Sequence, residues 1–245
     1  MSTHSSPNVQ TDDRTGYSGI RELWANEKFL THYNLDVVSK LSRRLAASRE
    51  VLEFGAGIGT LSQLWLSKTG VKPECLEIDD SMRKVLVDRG FHCYASLEAV
   101  TKAYDGIFTS NVLEHIEDDA AVLTRLHGLL KPGGMLAVYV PAFRLLYSHI
   151  DASVGHYRRY GRKDLLSKLE RARFSILECR YVDSVGFFAW LVMKLIGPAK
   201  AGNDDLDRNL RVYDRYGYPV SAWLDRLLFK HLFGKNILVI ARRSP

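Results

Sequence analysis

With 245 residues, 46% of them apolar and 25% charged, the chain is long enough for one globular domain with an addition. Three scattered cysteines, Cys75, Cys93 and Cys179, exclude a disulfide framework, and the longest apolar run, residues 185–196, is too short to cross a bilayer and contains Lys194. The net charge of +6 is uneven: residues 1–140 hold 15 Lys/Arg against 18 Asp/Glu, a net of −3, and residues 141–245 hold 19 against 10, a net of +9. The second part is therefore expected to meet an anionic partner, unless its cations only form a solvated surface.

Unpaired cysteines and the lack of a basic-then-apolar leader predict a cytoplasmic protein. Residues 1–15, rich in Ser, Thr, Asp and Asn, have no periodicity and read as a disordered tail. A helical pattern then runs from Ile20 to Leu45 and carries Trp24 and Tyr33, which either cap a site or simply pack.

Next comes Val-Leu-Glu-Phe-Gly-Ala-Gly-Ile-Gly-Thr, Val51 to Thr60. An apolar run, glycines at 55, 57 and 59, and then Leu61, Leu64 and Trp65 on one helical face predict strand, tight turn and helix. In α/β proteins such a turn marks a nucleotide site at the carboxyl end of a strand. The spacing differs from the dinucleotide pattern G-x-G-x-x-G, since Thr60 stands where its third glycine is due.

The glycines and the preceding Glu53 resemble the first motif of the class I S-adenosylmethionine-dependent methyltransferases. The resemblance implies that Gly55, Ala56, Gly57 and Gly59 wrap the methionine part of the cofactor and that Glu53 helps hold its amino group. Downstream, Gly70 reads as a helix C-cap and Cys75 to Ile78 as a second strand. Asp80 or Ser81 caps a helix with Met82, Val85 and Leu86, stopped at Gly90. A carboxylate about twenty residues past a glycine turn can bind a ribose diol. Leu-Glu-Ile-Asp-Asp-Ser-Met resembles the family's second motif, which implies Glu77, beside Ile78, in that role, with Asp79 as the other choice.

Phe91 to Tyr94 reads as a third strand. Many family members hold adenine with an aspartate after it; here Ser96 and the backbone near Leu97 would serve. Tyr104 to Ile116, a helix with Val122, Leu126 and Leu129, then Lys-Pro-Gly-Gly and a strand from Met135 to Val140, resemble the family's fourth and fifth strands. The resemblance places Asn111 beside the methionine end of the cofactor, with Glu114 and His115 near it. Phe174 to Cys179 and Asn236 to Ala241 fit the sixth strand and a reversed seventh. The expected fold is thus α/β: a Rossmann-like, seven-stranded, mostly parallel sheet with an antiparallel last strand and helices on both faces.

The core is expected over 16–180 and 236–245, with an acceptor-side loop at 143–161 and a helical insertion at 181–235. The loop carries His149, Asp151 and Gly-His-Tyr-Arg-Arg-Tyr, Gly155 to Tyr160. Arg158 and Arg159 suit an anionic or sugar-like acceptor, or else pair with acids inside the fold. The run resembles a bacterial subset of the family associated with glycan and polyprenyl-linked sugar pathways. That implies a small-molecule or lipid-linked sugar acceptor rather than nucleic acid.

The insertion reads as a lid, a homodimer contact or a patch on the inner face of the membrane. Base candidates for a hydroxyl acceptor are His156, His149, Tyr157 and His115, in that order. The histidines are dispersed, so no metal group is expected. Two competing expectations are a nicotinamide-dependent oxidoreductase and a protein that binds the cofactor without chemistry.

Overall fold

The structure is a computed structural model and describes residues 20–196, 203–227 and 229–244. The predicted tail over 1–15 lies outside the described residues. The helical pattern from Ile20 divides into α1 (Ile20–Phe29) and α2 (Thr31–Ser42), because Leu30 between them is not helical, with φ −109° and ψ 51°. Then follow β1 (Val51–Phe54), α3 (Thr60–Thr69), β2 (Glu74–Leu76), α4 (Asp80–Asp88), β3 (Cys93–Tyr94) and β4 (Tyr104–Ser110). The chain continues through α5 (Asp119–Leu129), β5 (Leu130–Pro141), the short α6 (His149–Ser153), α7 (Arg162–Arg171) and β6 (Phe174–Val182). After β6 come α8 (Ser184–Ile196), α9 (Asn203–Val212), a π-helical segment Tyr213–Gly217, α10 (Tyr218–Leu227) and β7 (Asn236–Arg243).

The strands form one sheet in the order β3-β2-β1-β4-β5-β7-β6. All pairings are parallel except those of β7, which runs antiparallel to both β5 and β6. Alternation along the strands divides the core between the two faces. Ile107, Leu136 and Val138 point to the side covered by Leu123, Leu126, Leu165 and Leu169. Their neighbours Phe108, Ala137 and Tyr139 point to the side of Val37, Leu41 and Trp65. There the Trp65 and Phe108 rings stack with centroids 4.3 Å apart. Strand order reverses between β1 and β4, so the carboxyl ends of these strands open a crevice, the usual ligand position in such sheets.

β6 reaches Val182, so the segment between the last two strands is 183–235, two residues later than expected. It is joined firmly to the core. Asp183, fully buried with φ 69°, receives Ser221 Oγ at 3.0 Å, the Gly186 amide at 2.9 Å and the Tyr213 hydroxyl. Asp225 receives the Asp183 and Ser184 amides at 2.6 and 3.1 Å. Leu30 offers α2 no side-chain cap, and Asp214 of the π-helical segment takes that place, receiving the His32 and Tyr33 amides.

Candidate functional site

The glycine turn lies where β1 ends. Gly55, Gly57 and Gly59 have φ of 74°, 55° and 84°, the left-handed region that costs a side-chain-bearing residue about 1–2 kcal/mol. Space forbids a side chain as well. A Cβ on Gly55 would lie 2.3 Å from a Val112 methyl, and one on Gly59 would lie 2.6 Å from Leu86. The Gly55 and Ala56 amides donate to the Leu76 carbonyl at 2.9 and 3.0 Å, which ties the turn to β2. Ala56 buries its methyl with Cys75, Leu86 and Phe91, so only its backbone belongs to the turn.

Glu77, just past β2, closes the turn from the side. Its carboxylate receives the Gly57 amide at 2.8 Å and the Asp79 amide at 3.0 Å. Asp79 is the N-cap of α4, receiving the Ser81 and Met82 amides on one carboxylate oxygen. Ile78 is 77% exposed, an apolar surface beside the turn. Ser96 and Leu97 are half-buried after β3, and the Ser96 hydroxyl serves Glu98. Glu53 is buried and accepts from Ser62 Oγ; burial pushes its carboxyl up to about 8. Asn111 ends β4 with φ 53°, its amide donating to the Tyr139 carbonyl at 2.8 Å.

The helical region expected to cap the site does lie over this turn, but through a pair that was not among the expectations. Glu27 of α1 receives both guanidinium nitrogens of Arg89 at 2.8 Å and the Thr60 hydroxyl, while Arg89 also donates to the Ile58 carbonyl at 2.8 Å. Leu23 lies 3.2 Å from where a Gly57 Cβ would stand, so α1 covers the turn. Trp24, one of the two aromatics in this region, sits on the outside with Arg89 over its ring. Tyr33 is inside, its hydroxyl 3.3 Å from that of Tyr139. A Trp24 contact across 65 residues to Arg89 has no local signature; nor has the Glu27–Arg89 pair.

The loop over 143–161 folds into a buried polar group. Asp151, near the start of α6, is 1% exposed, and both its oxygens face donors. One oxygen receives Ser148 N at 2.9 Å and Ser148 Oγ at 3.2 Å; the other receives His156 Nδ1 and Arg159 Nε, each at 2.8 Å. Burial opposes its charge, but His156, Arg159 and the Ser148 amide outweigh it and hold the carboxyl below its usual range. Gly155, with φ 81°, reverses the chain after α6, so that the His156 amide returns to the Asp151 carbonyl at 2.9 Å. That reversal carries the imidazole to the carboxylate.

The His156 and His115 rings meet edge to face with centroids 4.5 Å apart. Glu114 is fully buried beside them, and neither carboxylate oxygen has a hydrogen-bond partner among the described residues. Burial pushes its carboxyl up to about 8, and burial with the nearby His156 lowers His115 to about 4. One ligand atom from each of Glu114, His115 and His156 lies within 4.8 Å of the others. The expectation of dispersed histidines is thus corrected: the 3₁₀ turn after β4 and the loop after β5 bring them together.

The remaining predicted residues fall elsewhere. His149 is exposed at the first position of α6 and makes none of these contacts. Tyr157 is 56% exposed and lines a basic outer recess with Arg144, Tyr147, Lys168 and both predicted acceptor arginines, Arg158 and Arg159, while its backbone amide reaches inward, to the Glu114 carbonyl at 2.8 Å. Arg158 is held within the fold by Asp119 at 3.0 Å and the Glu117 carbonyl at 2.8 Å. Arg159 is buried against Asp151 with its guanidinium 4.6 Å from the Trp190 ring centre, and its Nη1 has no partner among the described residues.

A doubly wound sheet whose glycine turn, flanking acids and β4 end converge on one crevice defines a nucleoside-cofactor enzyme. A family model described as a methyltransferase domain matches residues 26–178, and the chain belongs to that family. Its cofactor is S-adenosylmethionine and its reaction is methyl transfer, which sets aside the nicotinamide reading.

Solved structures share the fold. A SAM-dependent methyltransferase from Archaeoglobus fulgidus is 21% identical with TM-score 0.57, the match covering 90% of this chain and 99% of that one. The Burkholderia thailandensis 1,6-didemethyltoxoflavin-N1-methyltransferase, with bound 1,6-didemethyltoxoflavin and S-adenosylhomocysteine, is 16% identical with TM-score 0.56, covering 94% and 84%. The Haemonchus contortus phosphoethanolamine N-methyltransferase 2, with S-adenosyl-L-methionine, is 14% identical with TM-score 0.61, covering 92% and 57%. No curated protein sequence matches the chain.

The crevice fits that cofactor by its own chemistry. The left-handed glycines leave open backbone, Glu77 offers carboxylate oxygens to a diol, and exposed Ile78 offers an apolar face to a base. Glu53 lies near the end of β1, buried against Ser62 Oγ. Among the described residues, no helix is long and apolar enough to cross a membrane.

Proposed function

We propose that this chain transfers a methyl group to a hydroxyl oxygen of a small-molecule, sugar or lipid-linked sugar acceptor, with Gly55, Gly57, Gly59, Glu53, Glu77 and Asn111 holding the cofactor. The observation that carries this reading is the Asp151–His156 pair, whose imidazole is clustered with Glu114 and His115. An amine acceptor at neutral pH offers its own lone pair once deprotonated, whereas a hydroxyl must lose a proton during transfer, which rewards such a group by about 10²–10⁴-fold.

The bound cofactor supplies a methyl group already activated on a sulfonium; the acceptor oxygen forms the new C–O bond as the C–S bond breaks and sulfur keeps the electron pair. The protein's part is to orient the acceptor, exclude water and dispose of the hydroxyl proton. Asp151 fixes the His156 ring, and Arg159 fixes Asp151. His149 and Tyr157 have no part in this reading.

The lipid-linked form of the acceptor is supported by α8. Its Phe188, Val192 and Leu195 are exposed at helical spacing, and Trp190 Nε1 bonds the Leu146 carbonyl of the acceptor loop at 3.0 Å. An apolar chain leaving the crevice along α8 would place the protein at the inner face of the membrane.

The test is isotope-labelled methyl transfer to sugars, sugar phosphates and polyprenyl-linked sugars, with the new bond identified by mass spectrometry and NMR. A methyl ether, lost by about 10²-fold or more in His156→Gln, is expected. A methylated nitrogen or carbon would overturn the reading, and cofactor binding without turnover of any acceptor would support the non-catalytic alternative.

A further inference from the structure

We infer that Glu114, His115 and His156 bind a divalent transition-metal cation of the zinc class, placed to take the acceptor's hydroxyl in an open coordination position. Three observations carry this. The three side chains offer one ligand atom each within 4.8 Å, and two imidazoles with one carboxylate form a donor set used by catalytic zinc, which leaves a position free. Glu114 is wholly buried with both oxygens unpartnered among the described residues, and a buried carboxylate without donors is costly unless it is neutralised or meets a cation. Asp151 accepts from His156 Nδ1 at 2.8 Å, the outer-shell carboxylate that fixes the tautomer and raises the basicity of a metal-bound histidine.

The position suits the chemistry. Glu114 and His115 follow Asn111 by three and four residues on the 3₁₀ turn at the end of β4, and Val112 between them packs on Gly55 of the cofactor turn. The Tyr157 amide bonds the Glu114 carbonyl at 2.8 Å, which joins the two loops that supply the ligands. A hydroxyl bound to the cation loses its proton to solvent at a lower pH than a free one, leaving an alkoxide or phenolate as nucleophile. His156 then serves as a ligand, and the cation activates the hydroxyl in its place. This role rests on the hydroxyl-acceptor reading, but binding of the cation does not.

The experiment therefore measures the cation first, without acceptor. Full-length protein stripped with chelator is titrated with Zn²⁺ by calorimetry and with Co²⁺ by visible ligand-field absorption. One equivalent per chain is expected, lost in Glu114→Gln and in His156→Ala, weakened about 10–100-fold in Asp151→Asn, and unchanged in a variant of exposed His231, His231→Ala. Because a ligand variant can fail to fold, anomalous scattering from Zn²⁺-soaked wild-type crystals locates the ion independently.

No binding, binding that survives both ligand substitutions, or an anomalous peak elsewhere would overturn the inference. A cation bound here with methylation only at nitrogen or carbon would defeat the hydroxyl reading and leave the metal site standing. Hydroxyl methylation at full rate in stripped protein would defeat the cation's part in the reaction and leave the hydroxyl reading standing.

Discussion

Asp214 and Tyr33 are 181 positions apart, yet the Asp214 carboxylate accepts the Tyr33 amide at 2.9 Å and, with its other oxygen, the His32 amide at 3.0 Å. The insertion thus caps the helix that carries Tyr33 into the crevice. Asp214→Ala is expected to cost about 1–2 kcal/mol, the usual worth of an N-cap, and to lower the melting temperature by several degrees. Asp214→Asn keeps one acceptor oxygen but turns an NH2 toward the second amide, so it should recover only part of the loss. Hydrogen exchange at residues 31–34 separates this from general loosening: only those amides should lose protection at small cost elsewhere.

Gly55→Ala combines two penalties. Left-handed strain of about 1–2 kcal/mol adds to overpacking against Val112 of about 1–3 kcal/mol. Chemical denaturation should show a loss of about 2–5 kcal/mol. Val112→Ala in the same chain should restore the steric part alone, and full restoration would disprove the strain.

Glu53 makes stability depend on pH. Burial raises its folded pKa to about 8 from the ordinary 4.5, so the fold prefers the protonated acid. Its contribution is intact below about pH 4.5, is lost progressively as pH rises toward 8, and is flat above that. Between about pH 5 and 8.5, Glu53→Gln should lose less unfolding free energy than wild type; equal slopes would refute the assignment. If Glu53 meets the cofactor's ammonium group, titration with S-adenosylhomocysteine at about pH 7 in buffers of different ionisation enthalpy should show proton release.

Glu27 holds α1 over the glycine turn through Arg89 and Thr60. Losing a charge-assisted bond of about 1.5 kcal/mol should undock α1 and reduce cofactor affinity about tenfold in Glu27→Ala. Faster hydrogen exchange confined to residues 20–29 is the matching readout. Unchanged affinity would mean that α1 does not have to close for binding.

The cofactor half of the fold was legible in the sequence. The glycine turn and Glu77 just past β2 came from local patterns, glycine spacing and a carboxylate about twenty residues on, whereas the reversed β7 followed from the family resemblance, which made it an edge strand; in the sheet it lies between β5 and β6. The Glu114–His115–His156 cluster was not legible, because Glu114 and His156 are remote in sequence and are brought together by the Gly155 reversal and the Tyr157–Glu114 bond. Arg158 and Arg159 read equally well as acceptor ligands or as ion-pair members, since a side chain's partner depends on which acid the fold brings near. Here that acid was Asp119 for one and Asp151 for the other. The Asp214 cap is illegible for the same reason: an aspartate in a charged helical stretch has no local sign that another helix needs it.

β7 lies between β5 and β6 and bonds to both. During synthesis, β6 leaves the ribosome with no strand to pair with until the 53 residues of 183–235 and then β7 itself have emerged. The parallel half of the sheet can assemble early, but its far edge closes only in one late event that also buries Asp183 and Asp225 against their partners. Rare codons or a stalled ribosome within that interval would leave an unpaired apolar strand exposed, and this is where a chaperone has the most to protect.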